Sequence, residues 1–97
     1  MIKLDSASLT LVKQILQKHL PGVTVKAFGS RVTGKPQPYS DLDLVIVADQ
    51  SIPIKKMNAI KFEFSNSDLP ILVDIIDWHA ISKVFREKIQ ADCETLI

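Results

Sequence analysis

Residues 27–48 read Ala27-Phe28-Gly29-Ser30-Arg31-Val32-Thr33-Gly34-Lys35-Pro36-Gln37-Pro38-Tyr39-Ser40-Asp41-Leu42-Asp43-Leu44-Val45-Ile46-Val47-Ala48. A first strand runs over residues 23–28, where Val23, Val25 and Ala27 alternate with Thr24, Lys26 and Phe28. Gly29-Ser30 ends it. Gly34, Pro36 and Pro38 make residues 31–40 a loop, with room for one helical turn at its start. Residues 41–48 form a second strand. After its two carboxylates it is almost continuously apolar, which predicts a central place in a sheet.

Outward from this unit the periodicity changes. Upstream, Leu9, Val12, Ile15, Leu16 and His19 or Leu20 recur at helical spacing behind a cap at Asp5 or Ser6, and Pro21-Gly22 stops the helix. Downstream, Ser51-Ile52-Pro53 opens a second helix. It turns Met57, Ile60 and Phe64 inward and Lys55, Lys56, Lys61 and Glu63 outward. A turn at 66–70 leads to a third strand over 71–77. Ser82 then caps a last helix carrying Phe85, Ile89 and Cys93, with Leu96-Ile97 as a short apolar tail. Helices alternating with strands predict an α/β (α+β) domain spanning 1–97, a small mixed β-sheet with helices packed mainly on one face.

Bulk properties exclude several classes. The chain has 97 residues, 46% of them hydrophobic, and a net charge of +1. That is globular and sized for one core. Balanced charge gives no basic stripe, so no direct nucleic-acid contact is expected. No apolar run approaches membrane-spanning length, and the alternating N-terminus is unlike a signal peptide. A lone cysteine, Cys93, excludes an internal disulfide and fits a reducing, cytoplasmic setting. His19 and His79 have no metal-ligand spacing.

The chemistry lies in the spacing. Strand side chains alternate, so Asp41 and Asp43 project to one side, with Cα atoms roughly 7 Å apart. Two carboxylates held together repel unless a cation lies between them, and magnesium prefers such oxygen ligands together with substrate phosphates. Alone, an Asp-x-Asp triplet reads equally as a hydrated strand start. Glycine after a strand lets the backbone turn tightly, and the following amides with the Ser30 hydroxyl can donate to phosphate oxygens. Alone, Gly29-Ser30 reads as an ordinary turn. Only ten residues separate the two, so neighbouring strands would face them onto one cleft. A third acid is then wanted beside the metal. Asp74 offers it, between Val73 and Ile75, with Leu72 and Ile76 on its own face. Those neighbours predict apolar surroundings, in which an ionised acid is expensive unless paired or metal-bound. The plain structural reading is a sheet-edge acid paired with a lysine. Asp77 faces the other way and reads as a cap for the turn before Trp78.

Gly29-Ser30, the ten-residue interval, Asp41-Leu42-Asp43 and then Val73-Asp74-Ile75-Ile76-Asp77 resemble the signature of nucleotidyltransferases built like the palm of DNA polymerase β. The fuller stretch resembles their minimal nucleotidyltransferase, or MNT, branch, over nearly the whole chain. The resemblance implies a polymerase-β-like palm in which Gly29 and Ser30 hold a nucleoside triphosphate. It implies that Asp41 and Asp43 ligate two magnesium ions and that Asp74 completes the metal site and helps activate the attacking hydroxyl. Arg31 follows the serine, as is common in this branch. It reads either as a phosphate contact or as a solvated loop arginine, and Lys35 and Tyr39 carry less weight.

Larger members of the superfamily carry further domains for base or acceptor. This chain ends about twenty residues after Asp74, which leads to the expectation that the acceptor brings its own binding surface. The resemblance then implies an antitoxin that transfers AMP from ATP to a tyrosine of a HEPN ribonuclease toxin, in a hetero-oligomer with it. Two alternatives stand beside it. One is transfer to a small molecule such as an aminoglycoside, and the other is a non-catalytic antitoxin that neutralises its HEPN partner by binding. Trp78, Phe85 and Leu96-Ile97 each read first as core residues, and would build a partner surface only if they are exposed.

Overall fold

The computed structural model describes residues 2–34, 36–37 and 40–97. Lys35 and Tyr39 lie outside the described residues. Helix α1 (Ser6–His19) begins where the Asp5 carboxylate accepts from Ser8 N at 3.0 Å. It ends at His19 with Leu20 as its C-cap, and Gly22 follows at φ 76°. Strand β1 (Thr24–Phe28), the one-turn helix α2 (Ser30–Thr33) and strand β2 (Leu42–Val47) follow. Helix α3 (Ile54–Ser65), strand β3 (Val73–Asp77), a 3-10 turn (Trp78–Ala80), helix α4 (Lys83–Ala91) and strand β4 (Cys93–Thr95) complete the described chain.

The four strands form one sheet in the order β3-β2-β1-β4. β2 pairs parallel with β3 and antiparallel with β1, and β4 pairs antiparallel with β1, so the sheet is mixed and β2 is interior as its apolar run predicts. One face carries Val25, Ala27, Leu42, Leu44, Ile46 and Ile75. It packs with Val12, Ile15, Leu16 and Leu20 of α1 and its C-cap, and with Ile60 and Phe64 of α3, into one buried cluster. Each Val, Leu, Ile or Phe among them stabilises by about 1.5–3 kcal/mol over its exposed state. Glu63 links the two helices, accepting from His19 Nε2 at 2.7 Å and from Lys18 Nζ at 3.1 Å. The His19 bond first, and then Lys18, hold the Glu63 carboxyl below its ordinary range.

Two expectations are corrected. The last helix ends at Ala91, and Cys93 belongs to β4. Leu96 N donates to Val25 O at 2.8 Å, so the apolar tail continues along β1 and buries Leu96. Phe85 is not a core residue. It is 38% exposed because α4 lies on the opposite face of the sheet from α1 and α3, where the Phe85 ring meets Phe28 edge-on at 5.9 Å between centroids. Among the described residues, no helix is long and apolar enough to cross a membrane.

Candidate active site

The register of β2 assembles the acids. Asp43 is the Cα partner of Asp74 on β3 and of Phe28 on β1. Directly paired residues project to the same side of a sheet, with neighbouring strands about 4.8 Å apart. Asp41 stands two residues before Asp43 and shares that side. The three acids therefore gather on the sheet face opposite α1 and α3, next to the end of β1. Asp41 and Asp74 are exposed, and Asp43 is partly buried. Burial first, and then the charges of Asp74 and Asp41, push the Asp43 carboxyl above its ordinary value.

Asp74 is not in the apolar surroundings that Leu72 and Ile76 predict. Its face is the open one, and Leu72 on the same face is 73% exposed. The apolar residues of β3 that reach the core are those of the other parity, such as Ile75 at 2% exposure. Asp77 has that parity and is buried. Its carboxylate accepts from His79 N at 3.0 Å and from Ile52 N at 2.8 Å, which caps the turn and ties β3 to the approach of α3.

Gly29 is the N-cap of α2, with φ 81° and ψ −159°. That conformation is essentially reserved for glycine. A Cβ placed there would stand 2.4 Å from Oδ2 of Asp43. The turn glycine and the central carboxylate are thus in mutual contact, which the spacing in the sequence only implied. The Gly29 carbonyl accepts from Val32 N and Thr33 N at 3.0 and 3.1 Å and closes the turn. Ser30 is exposed beside it.

Arg31 points elsewhere. It is 5% exposed, and its guanidinium donates to the carbonyls of Lys3 at 2.8 Å, Ser40 at 2.9 Å and Gln37 at 3.4 Å. Its main chain joins in, with Lys3 N donating to Arg31 O at 2.7 Å. The side chain braces the N-terminal segment and the end of the loop that delivers Asp41. Among the described residues, no three His, Cys, Asp or Glu side chains form a preformed metal cage. The oxygen-only set Asp41, Asp43 and Asp74 still suits a hard divalent cation, because such ions complete their shells with water and substrate phosphate.

Residues 10–97 match the family described as Polymerase beta, Nucleotidyltransferase. The chain belongs to this nucleotidyltransferase family. It is similar to the Probable protein adenylyltransferase MntA of Haemophilus influenzae (strain ATCC 51907 / DSM 11121 / KW20 / Rd), with 46% identity over 89 residues, 92% of this chain and 78% of that protein. Among solved structures it resembles a toxin-antitoxin with AMP-PNP, at TM-score 0.76 and 20% identity over 92% of this chain and 72% of that one. It also resembles the structure of a tri-AMPylated Shewanella oneidensis HEPN toxin in complex with MNT antitoxin, at TM-score 0.70 and 18% identity over 94% of this chain and 70% of that one. Both structures share its mixed α/β fold.

Within this nucleotidyltransferase fold, α4 adds residues that the motif did not indicate. Phe85, Lys88, Ile89 and Asp92 line a groove of about 220 Å³ together with Phe28, Gly29 and Thr33. They recur at i, i+3, i+4 and i+7, one face from α4 into its C-cap. That periodicity was readable in the sequence. What it faced was not, because the helix could equally have covered the other side of the sheet.

Proposed function

We propose that residues 1–97 act as one nucleotidyltransferase domain that moves AMP from ATP to a tyrosine hydroxyl of a HEPN-type partner protein, silencing a toxin in the cytoplasm. The observation that carries the transfer chemistry is the pairing of Asp43 with Asp74, with Asp43 in contact with the Gly29 turn. The acceptor rests on likeness to an adenylyltransferase at 46% identity. AMP-PNP in a structure of the same fold supports ATP as donor.

The roles follow from position. Ser30 and the amides that follow Gly29 donate to the triphosphate. Lys88, across the groove from Gly29, supplies the cation that Arg31, bonded to main-chain carbonyls, does not present. Asp41, Asp43 and Asp74 hold two magnesium ions, which when bound neutralise charge on the attacking and leaving oxygens. Asp74, at the open edge of the sheet, receives the proton of the tyrosine hydroxyl. The phenolic oxygen bonds to the α-phosphorus, the bond to the β-phosphate oxygen breaks, and pyrophosphate leaves. Arg31 is a positioning residue that sets the loop carrying Asp41.

The test is incubation with labelled ATP, magnesium and the cognate HEPN protein. Label is expected on a tyrosine of the partner, and Asp43→Asn is expected to lose it. Label on an aminoglycoside and not on protein would replace the acceptor. Undiminished neutralisation by Asp43→Asn with no labelled partner would reduce the chain to a binding antitoxin.

A further inference from the structure

We infer that Leu72 is the acceptor-side contact of this site, an aliphatic platform on which a phenolic ring lies with its hydroxyl directed to Asp74. The inference rests on the transferase reading above and concerns which chemistry the acceptor must bring. Leu42 N donates to Leu72 O at 2.9 Å, the ladder bond immediately upstream of the Leu42–Val73 pairing. Carried one step back, that register sets Leu72 beside Asp41, and strand alternation sets it on the same face as Asp74. Asp41, Asp43 and Asp74 thus occupy three corners of a small block, and Leu72 the fourth.

An aliphatic side chain 73% exposed beside acids does nothing for the core. Its neighbour Ile71 is buried at 8%, so the segment already has its anchor. The position is on the side from which an acceptor must come. The triphosphate is assigned to Gly29-Ser30 at the end of β1, and β3 is the edge strand on the far side of β2 from it. In-line displacement brings the nucleophile from the side away from the departing pyrophosphate, hence over β3. Residues two apart on a strand are about 7 Å apart. A ring laid along the strand over Leu72 therefore brings its hydroxyl to Asp74, which takes the proton as the oxygen bonds to the α-phosphorus and pyrophosphate departs. A polycationic sugar gains nothing from such a platform, whereas a tyrosine does.

The test measures AMP transfer to the HEPN partner as partner concentration is varied, with AMP-PNP binding followed separately, for wild type, Leu72→Ala, Leu72→Met and Leu72→Glu. All four are expected to melt alike, since the side chain is exposed. Leu72→Ala should raise the acceptor KM about tenfold, with AMP-PNP affinity unchanged. Leu72→Met should stay near wild type and Leu72→Glu should lose most transfer. An unchanged acceptor KM in Leu72→Ala, or an equal loss of AMP-PNP affinity, overturns the role of Leu72 while leaving the transferase intact. A wild type that binds AMP-PNP but labels no protein overturns the acceptor reading and this inference with it.

Discussion

Gly29→Ala separates the two things that Gly29 does. The first is conformational. At φ 81° and ψ −159° an alanine is strained, at a cost of about 1–3 kcal/mol. In a domain of this size each kcal/mol lowers the melting temperature by about 4–8 °C. The second is steric. The new methyl would stand 2.4 Å from Asp43 Oδ2, well inside contact distance. The carboxylate is the movable end of its side chain, so it would turn away and leave its place beside Asp74. Stability would then fall mainly by the backbone term, while AMP transfer would fall by orders of magnitude. Thermal unfolding and transfer assays on wild type, Gly29→Ala, Asp43→Ala and the double variant read the two apart. The cost of Gly29→Ala should be smaller in the Asp43→Ala background by the part due to the clash. A Gly29→Ala protein that melts with wild type and transfers AMP normally would refute both halves. An identical cost in the two backgrounds would refute the steric half alone.

Other expectations concern the charges. Burial and the neighbouring acids raise the Asp43 carboxyl in the folded chain, so the native state holds that proton more readily than the unfolded chain does. The penalty for ionised Asp43 is absent below its ordinary value of 3.8, grows as pH rises towards the folded value, and is complete above it. Without magnesium, Asp43→Asn should therefore be more stable than wild type at pH 7, with the gap closing as pH falls towards 3.8, in denaturant unfolding across pH. A gap that widened on acidification would contradict the sign. Magnesium should raise the melting temperature of wild type in a concentration-dependent way and lose that effect in Asp43→Asn, as binding to the native state alone requires. Arg31→Ala should cost about 1–3 kcal/mol, because it takes the donor from the part-buried carbonyls of Lys3 and Ser40. Its main signature should be a lower melting temperature, with ATP affinity in the folded fraction close to wild type. Lys88→Ala should do the reverse, weakening AMP-PNP binding about tenfold by the loss of one charge-assisted bond while leaving the melting temperature within about 1–2 °C.

The parts of this molecule that were legible in the sequence are those where one local rule decides the outcome. The apolar run after Asp43 required a buried interior strand, and the period of Leu9, Val12, Ile15 and Leu16 required a helix with one inward face. The short β4 obeys no local rule. Cys93, Glu94 and Thr95 form a strand because β1 offers them an open edge, a fact of the assembled sheet. The same limit governs Phe85, whose exposure depends on which face α4 covers. It governs Arg31 too, since a buried guanidinium needs carbonyls from residues 3, 37 and 40 that only the fold brings together.

The candidate site was legible for a different reason. Asp41, Asp43 and the Gly29 turn lie within fifteen residues on consecutive antiparallel strands, so their meeting follows from chain reversal alone. Asp74 joins them only through the parallel register of β3, and no local feature of residues 71–77 selects Asp43 as its partner over Val45. A slip of two residues along that ladder would preserve every buried side chain on β3 and still remove the third acid from the cluster. The register is instead pinned from both ends, by the Leu42–Leu72 bond above and the Asp77 carboxylate on Ile52 N below. Those two anchors are structural in themselves, and they determine which carboxylate joins Asp43 beside the Gly29 turn.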